Sequence, residues 1–426
     1  MGKMIMKLSI KLRKYSNLWF SLVALAIFSY DFTLGMLIPV VPLFLQKLGL
    51  SDKWLGVPLM VFGIGWSIGS VAFAKLMYRY NERKLFLVVA YVILVVYGLN
   101  LMFLKNLVQF VIILFLQGLG QGIVWQLGLL IVSELFSEKH QAIANGYLFA
   151  AYNLSTILSP VISSFVFHMF GSLGNGIVIA VLGSIGFLIS IVSHQNLDNH
   201  VVVHPKKITW QQIRHPAFAA CMVLAICSAA LNASLESIIS LILEFRFDIS
   251  EKFIGSYFLC ISIPATVASL IMGHMSAKVS EYYILWLGIF LSLISTFIIM
   301  FSYSLVFTGV GLACLGFGFI FMASPVPSFL SDVLMVHPSA LHAAFNFCTA
   351  SGIAVYPFVS GIILDESGVA WTAVFLIASI LATIPLMMMA FHSQLSRVKS
   401  AEADDSLLAR STSIKTKRYS KDSFLF

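Results

Sequence analysis

The sequence predicts an all-α integral membrane protein, with twelve transmembrane helices in two parallel six-helix repeats around a central cavity. Three observations carry that prediction. The 426 residues are 59% hydrophobic and only 10% charged, with a mean hydropathy of +0.95, whereas soluble domains carry about 25% charged residues. Apolar runs long enough to cross a bilayer, roughly 17–25 residues each, recur along the whole chain. The second half of the chain also echoes the first. Such a composition excludes a soluble globular core, a secreted disulfide scaffold and a disordered chain.

The apolar runs, divided at charges and turn residues, place spans at 18–46, 54–76, 85–104, 107–136, 141–168, 174–193, 217–243, 253–275, 283–303, 305–331, 341–364 and 371–392. The first run is too long for a signal-peptide core and is not followed by a small-residue cleavage site. It is therefore a span. The chain then divides into an N-terminal segment (1–17), a first six-helix half (18–193), a linker (194–216), a second six-helix half (217–392) and a basic, disordered tail (393–426).

Sidedness follows from the bases. With both termini and the linker in the cytoplasm, all but five of the 26 lysines and arginines lie on the inside; Lys47, Lys53, Lys105, Arg246 and Lys252 are the exceptions. This is the positive-inside asymmetry. It accounts for the net charge of +8 without nucleic acid as a partner. A cell membrane is the expected location, with an organelle membrane left open. The bilayer and a small-molecule substrate are the expected partners, and the chain is read as a monomer.

The repeat is visible without gaps. Residues 25–56 overlay on 224–255 at an offset of 199: L-A-I-F-S at Leu25–Ser29 matches L-A-I-C-S at Leu224–Ser228, and S-D-K-W-L-G at Ser51–Gly56 matches S-E-K-F-I-G at Ser250–Gly255. Further on, Gly118 and Gly120 answer Gly316 and Gly318, and Pro160 answers Pro357. Repeats that match without reversal are related by an axis along the membrane normal and enclose a site near the midplane.

Of the 18 acids, only Asp31 and Glu236 sit well inside a span. A charge at the centre of a membrane helix costs about 2.5–3.5 kcal/mol on insertion scales. With no basic residue in the spans to pair with, both are best placed on a cavity, where they bind protons, substrate or both. The alternative is a protonated acid bonded to backbone for packing. The two are not repeat mates, since Asp31 falls on Ala230 and Glu236 on Leu37. Six residues separate their depths, about 9 Å at 1.5 Å per residue, which assigns Asp31 to the centre and Glu236 to the outer part of the route.

In span four, Gln117, Gln121 and Trp125 recur at i, i+4 and i+8. They form a cavity-lining stripe with a ring face for a cation, or else a seam of interhelical hydrogen bonds. Gly118 and Gly122 make a neighbouring helix-packing stripe. Tyr152, Asn153, Asn232 and Asn346 are further candidates for cavity or structure. The five cysteines lie in apolar runs without metal-ligand spacing, and no H-E-x-x-H or Walker-type glycine loop occurs. No cofactor is expected, only the proton as coupling ion, and no enzymatic constellation is visible.

The segment D-F-T-L-G-M-L-I-P-V-V-P-L-F-L (Asp31–Leu45), with L-N-A-S-L-E-S-I-I-S (Leu231–Ser240), resembles the major facilitator superfamily, in particular its drug:proton antiporter and vesicular amine transporter branch. That resemblance implies a functional acid at Glu236 and a gating loop after span two. The loop reads A-K-L-M-Y-R-Y-N-E-R, keeping Arg79 and Arg83 with Tyr78 in place of the family's Asp, and Lys278 holds the matching place in the second half. The antiporter helix-packing motif of span five stands as Ser159, Pro160, Ser163 and Ser164 around Val161 and Ile162. The span-four arginine of the family is Leu114, and its acids of spans ten and eleven are Ile320 and Asn346. The expected function is proton-coupled export of a small cationic or amphipathic organic compound by alternating access. The alternatives are transport of a neutral solute or lipid, and a non-transporting receptor or scaffold on the same fold.

Overall fold

The computed structural model describes residues 2–37, 56–79, 82–136, 138–192, 209–249, 256–275, 279–334 and 338–389. The P-x-x-P part of span one, Lys278, most of the linker and the basic tail lie outside them. Among the described residues the regular elements are helices: α1 (Gly2–Leu37), α2 (Gly56–Arg79), α3 (Arg83–Met102), α4 (Leu107–Leu135), α5 (Glu138–Val192), α6 (Trp210–Ile213), α7 (Pro216–Phe247), α8 (Leu259–Met275), α9 (Glu281–Phe301), α10 (Leu305–Ala323), α11 (Val326–Leu334) and α12 (Pro338–Leu381). Nine described stretches are long and apolar enough to cross a membrane, and Leu259–Met272 is a shorter apolar helix.

These helices are apolar on more than one face, as buried or membrane helices are. On α3, Phe86, Ala90, Leu94, Tyr97 and Leu101 pack inward, while Leu85, Val92, Val96 and Leu99 point away from the bundle. Water would penalise that outer stripe and acyl chains would not. Inside, the buried apolar side chains form two clusters. One is drawn mainly from residues before the linker, the other wholly from residues after it.

Two glycines turn the chain where the sequence places short connections. Gly171 (φ 62°, ψ −155°) breaks α5 between predicted spans five and six. Gly368 (φ 79°, ψ −179°) breaks α12 between spans eleven and twelve. Positive φ costs glycine little because it has no Cβ, so one residue makes each turn. Asp248 also has positive φ (53°), and the repeat offset puts Gly49 opposite it. Span ten departs from the uninterrupted helix expected over 305–331, with a turn at Ser324–Pro325 separating α10 from α11. Pro325 and Pro327 lack N–H groups, so the carbonyls of Phe321 and Ala323 lose their i+4 donors.

Close helix pairs form where side chains are absent. Gly118 on α4 rests on the backbone of α2, so a Cβ there would strike the Phe62 carbonyl oxygen and lie 2.9 Å from the Trp66 nitrogen. Gly316 on α10 rests on α8 in the same way, against the Ile261 carbonyl oxygen and 3.0 Å from the Ala265 nitrogen. Gly122 repeats the contact one turn on, at Ser70. Small residues permit this approach in a medium where the hydrophobic effect does not drive helices together.

Arg246, one of the five bases assigned to outside loops, has a structural role. Its guanidinium donates to the carbonyls of Ser302 (2.9 Å) and Ile299 (3.4 Å) and lies 5.2 Å from the centroid of the Tyr303 ring. It thereby satisfies carbonyls left open at the C-terminus of α9 and complements the helix dipole. Arg246→Ala is expected to destabilise the protein by about 1 kcal/mol, read as a lowered thermal unfolding midpoint in detergent. An unchanged midpoint would show these contacts to be energetically idle.

Candidate functional site

The site begins with the polar face of α1. Asp31 is 1% exposed and sits among buried Tyr30, Phe32 and Thr33. Tyr30 donates its hydroxyl to the Ala90 carbonyl on α3, and Thr33 donates to the Tyr30 carbonyl at 2.7 Å. Across from this face, α4 presents two glutamines one turn apart. Gln117 donates to Thr33 Oγ1 at 2.7 Å, and Gln121 donates to Asp31 Oδ1 at 2.6 Å. A carboxylate only accepts hydrogen bonds, so the Gln121 amide must turn its NH₂ toward it. The second carboxyl oxygen, Asp31 Oδ2, is buried without a hydrogen-bond partner.

Trp125, one turn further along α4, approaches the same carboxylate, although its N–H finds no partner in hydrogen-bonding geometry. Its indole stacks on Trp66 of α2, with centroids 6.5 Å apart and planes at 24°. It also meets Phe149 at 5.3 Å and Tyr152 at 6.0 Å. Tyr152 in turn meets Phe319 of α10 at 6.3 Å. A row of rings thus crosses from the first half of the chain to the second.

These groups line a partly open cavity. Asp31, Trp66, Trp125 and Tyr152 line it from the first half; Asn232, Glu236, Phe319, Asn346 and Thr349 line it from the second. Glu236 is carried by α7 one turn after Asn232, whose side chain reaches it. Tyr152 is within electrostatic reach of both acids. Among the described residues the remaining wall is apolar and includes no Lys, Arg or His. Carboxyl groups beside ring faces are an arrangement that can hold a cation.

Other candidates stand behind the wall. Gln117 and Gln121 make interhelical hydrogen bonds to α1, so the predicted stripe divides into a bonding part and a lining part, Trp125. Asn153 donates to Ser269 Oγ on α8 at 2.8 Å, one of the polar ties between the two halves of the chain. Ser163 donates to the Met36 carbonyl and accepts from Asn175 at 2.9 Å, and Ser159 packs on Gly35. The Ser159–Pro160 segment therefore joins α5 to α1. Arg79 ends α2, Arg83 is buried at the start of α3, and Ser164 lies within α5.

Sequence reasoning missed Trp66, Thr349 and Gln126. Thr349 follows Asn346 by three residues and shares its helix face, a signal that was available. Gln126 adjoins Trp125 in sequence and so points elsewhere, yet it accepts from Asn346 Nδ2 at 3.3 Å and ties α4 to α12.

Comparison with known proteins agrees with this architecture. Residues 23–351 match the family model of the Major Facilitator Superfamily. An uncharacterised MFS-type transporter of Schizosaccharomyces pombe is 22% identical over 422 residues, covering 85% of this chain and 92% of its own. Among solved structures, the human organic anion transporter MFSD10 (TETRAN) superposes with a TM-score of 0.68 at 12% identity, covering 87% of this chain and 99% of its own. The transporter FucP, in its outward conformation, gives 0.64 at 14% identity, covering 88% and 98%. The chain belongs to the Major Facilitator Superfamily and is a multi-pass membrane transporter, not an enzyme.

Proposed function

We propose that this protein is a proton-coupled secondary transporter that exports a small cationic or amphipathic organic compound. One observation carries the reading: one cavity holds two carboxyl groups and a row of aromatic rings, with no basic side chain among the described residues of its wall. Protons and a cationic substrate compete for the carboxyls, so that loading one expels the other. An anionic substrate would meet two acids and, among the described lining residues, no counter-charge. The organic anion specificity in the name of MFSD10 is therefore not carried over to this chain.

Alternating access follows from a twelve-span, two-repeat arrangement with both termini cytoplasmic. The matched contacts of Gly118 and Gly316 support that arrangement. So do the turns at Gly171 and Gly368, which share the 197-residue spacing of Pro160 and Pro357. Both halves then rock about the cavity as near-rigid units. The superfamily loop residues Arg79, Arg83 and Lys278 are assigned to gating.

The test is proton flux in proteoliposomes under an imposed pH gradient, with a panel of organic cations added. Wild-type protein is expected to dissipate the gradient when a substrate is present, and Glu236→Gln to slow it. If no cation moves protons and neither Asp31→Asn nor Glu236→Gln changes any flux, the proposal is wrong. Uptake of a neutral solute untouched by Glu236→Gln would identify a facilitator instead.

A further inference from the structure

The linker between the two halves of the chain ends in a short helical turn, α6, whose side chains take no part in the cavity. A membrane-crossing stretch begins directly after it, at Pro216. The turn is tied on several sides. Thr209 Oγ1 accepts from the Gln212 N–H at 3.4 Å, and Gln212 Oε1 accepts from the Thr209 N–H at 2.8 Å, a reciprocal cap. Gln212 Nε2 donates to the carbonyl of Leu334, the last residue of α11, at 3.5 Å. The Ala217 N–H of α7 donates to His215 Nδ1 at 3.2 Å. These bonds hold α6 against the ends of two helices of the second half.

The same turn exposes apolar surface beside a charge. Trp210 is 64% exposed, and Ile213 is exposed as well; at i and i+3 they share one side of the turn. Arg214, also exposed, brings its guanidinium carbon to 5.2 Å from the centroid of the Trp210 ring, so a cation adjoins the indole face. From Asn199 to Leu235 the chain carries three bases and no acid, which makes this face complementary to an anion. An exposed indole six residues before Pro216 lies where aromatic residues gather at the membrane–water boundary. A guanidinium beside it has the planar donor fork that pairs with phosphate.

We propose that Trp210, Ile213 and Arg214 form a lipid-binding surface that docks the linker on the bilayer. Arg214 pairs with the headgroup of an anionic phospholipid, and Trp210 and Ile213 lie at the boundary of the acyl chains. In the topology proposed above this leaflet is the cytoplasmic one, whose anionic lipids attract juxtamembrane bases. Because α6 is bonded to both α7 and α11, the contact pins the start of the second half to one leaflet. The surface stands apart from the cavity and holds whatever the transported compound is.

The experiment places the full chain, labelled with fluorotryptophan, in lipid nanodiscs of phosphatidylcholine alone or of phosphatidylcholine with phosphatidylglycerol in equal part. The fluorine NMR signal of Trp210 is assigned by its loss in Trp210→Phe. Two paramagnets are compared: a nitroxide fixed to the lipid headgroup and a water-soluble gadolinium chelate. In the anionic discs the nitroxide is expected to broaden the Trp210 signal more than the chelate does, and more than it does in phosphatidylcholine alone. Arg214→Gln is expected to weaken phosphatidylglycerol binding about 5-fold, read from the Trp210 shift as the anionic fraction rises. Broadening by the chelate alone overturns the proposal and marks a surface left to water or to a protein partner. An identical Trp210 response in the two lipid compositions also overturns it, as does an Arg214→Gln protein that titrates like wild type. The wild-type comparison of lipids stands even where Arg214→Gln fails to fold.

Discussion

Asp31→Asn is expected to abolish proton-coupled transport while leaving the fold as stable as before, or more so. Asn has nearly the same shape as Asp, and its amide oxygen still accepts from Gln121 Nε2, which now sits 2.6 Å from Asp31 Oδ1. What disappears is a group able to take up and release a proton at the cavity wall. The substitution also removes an ionisable side chain from an apolar helix, where a charge costs about 2.5–3.5 kcal/mol on insertion scales. Residues kept at a cost to stability are those retained for function. The check pairs two measurements on one preparation: the thermal unfolding midpoint, and proton flux driven by substrate across a liposome membrane. Intact flux would remove Asp31 from the coupling machinery. A loss of more than about 2 kcal/mol of stability would instead make its bond to Gln121 the reason the residue is there.

Gly118→Val is expected to have the largest effect on the fold itself, with Gly316→Val matching it in the second half. At both positions the added Cβ meets backbone, the Phe62 carbonyl in one case and the Ile261 carbonyl in the other. A flexible side chain could swing aside, but a helix backbone moves only if the whole helix moves. Separating α2 from α4 also displaces Trp66 from Trp125, and so opens the cavity wall. Overpacking of even yielding cores costs about 1–3 kcal/mol, and these sites exceed that range because nothing yields. The lipid-side control is Ile112→Val on the same helix, at a residue 54% exposed, expected to stay within about 0.5 kcal/mol of wild type. Size-exclusion behaviour and unfolding midpoints distinguish the outcomes. A Gly118→Val protein that folds and melts like wild type would show that α2 and α4 pack less closely than described.

Much of the fold was legible because a membrane leaves a chain few options. Backbone groups in hydrocarbon must be satisfied within the segment, so an apolar run of sufficient length is a helix whatever its neighbours do. The glycine turns at Gly171 and Gly368 were legible as short connections for the same reason. The break at Ser324–Pro325 was missed because apolar length outweighed two prolines whose effect is local. Spans seven and eight were read at roughly their places, but the connection between them lies partly outside the described residues.

The site divides differently. That Asp31 and Glu236 were exceptional could be read from charge alone, since the remaining acids lie outside the spans or at their ends. That both reach one cavity, with Tyr152 on the same wall, depends on the rotation and depth of two helices 205 residues apart in number, Asp31 to Glu236. The stripe Gln117–Gln121–Trp125 was a correct helix face, but periodicity does not say what faces it. Thr33 and Asp31 take the two amides, and the cavity takes the indole.

By itself, then, the sequence determined the membrane class, the helical state of the spans, the internal repeat and the two anomalous acids. Each of these is a local or additive property: hydropathy sums along a segment, backbone satisfaction is internal to a helix, and a repeat is a comparison of letters. Only the tertiary structure decided that Trp66, Thr349 and Asn346 share a wall with the acids, and that Gln126 holds α12. Those outcomes depend on how closely helices approach. That distance is decided where a missing Cβ lets one backbone touch another, as at Gly118 and Gly316, and it transmits across the bundle to groups far apart along the chain.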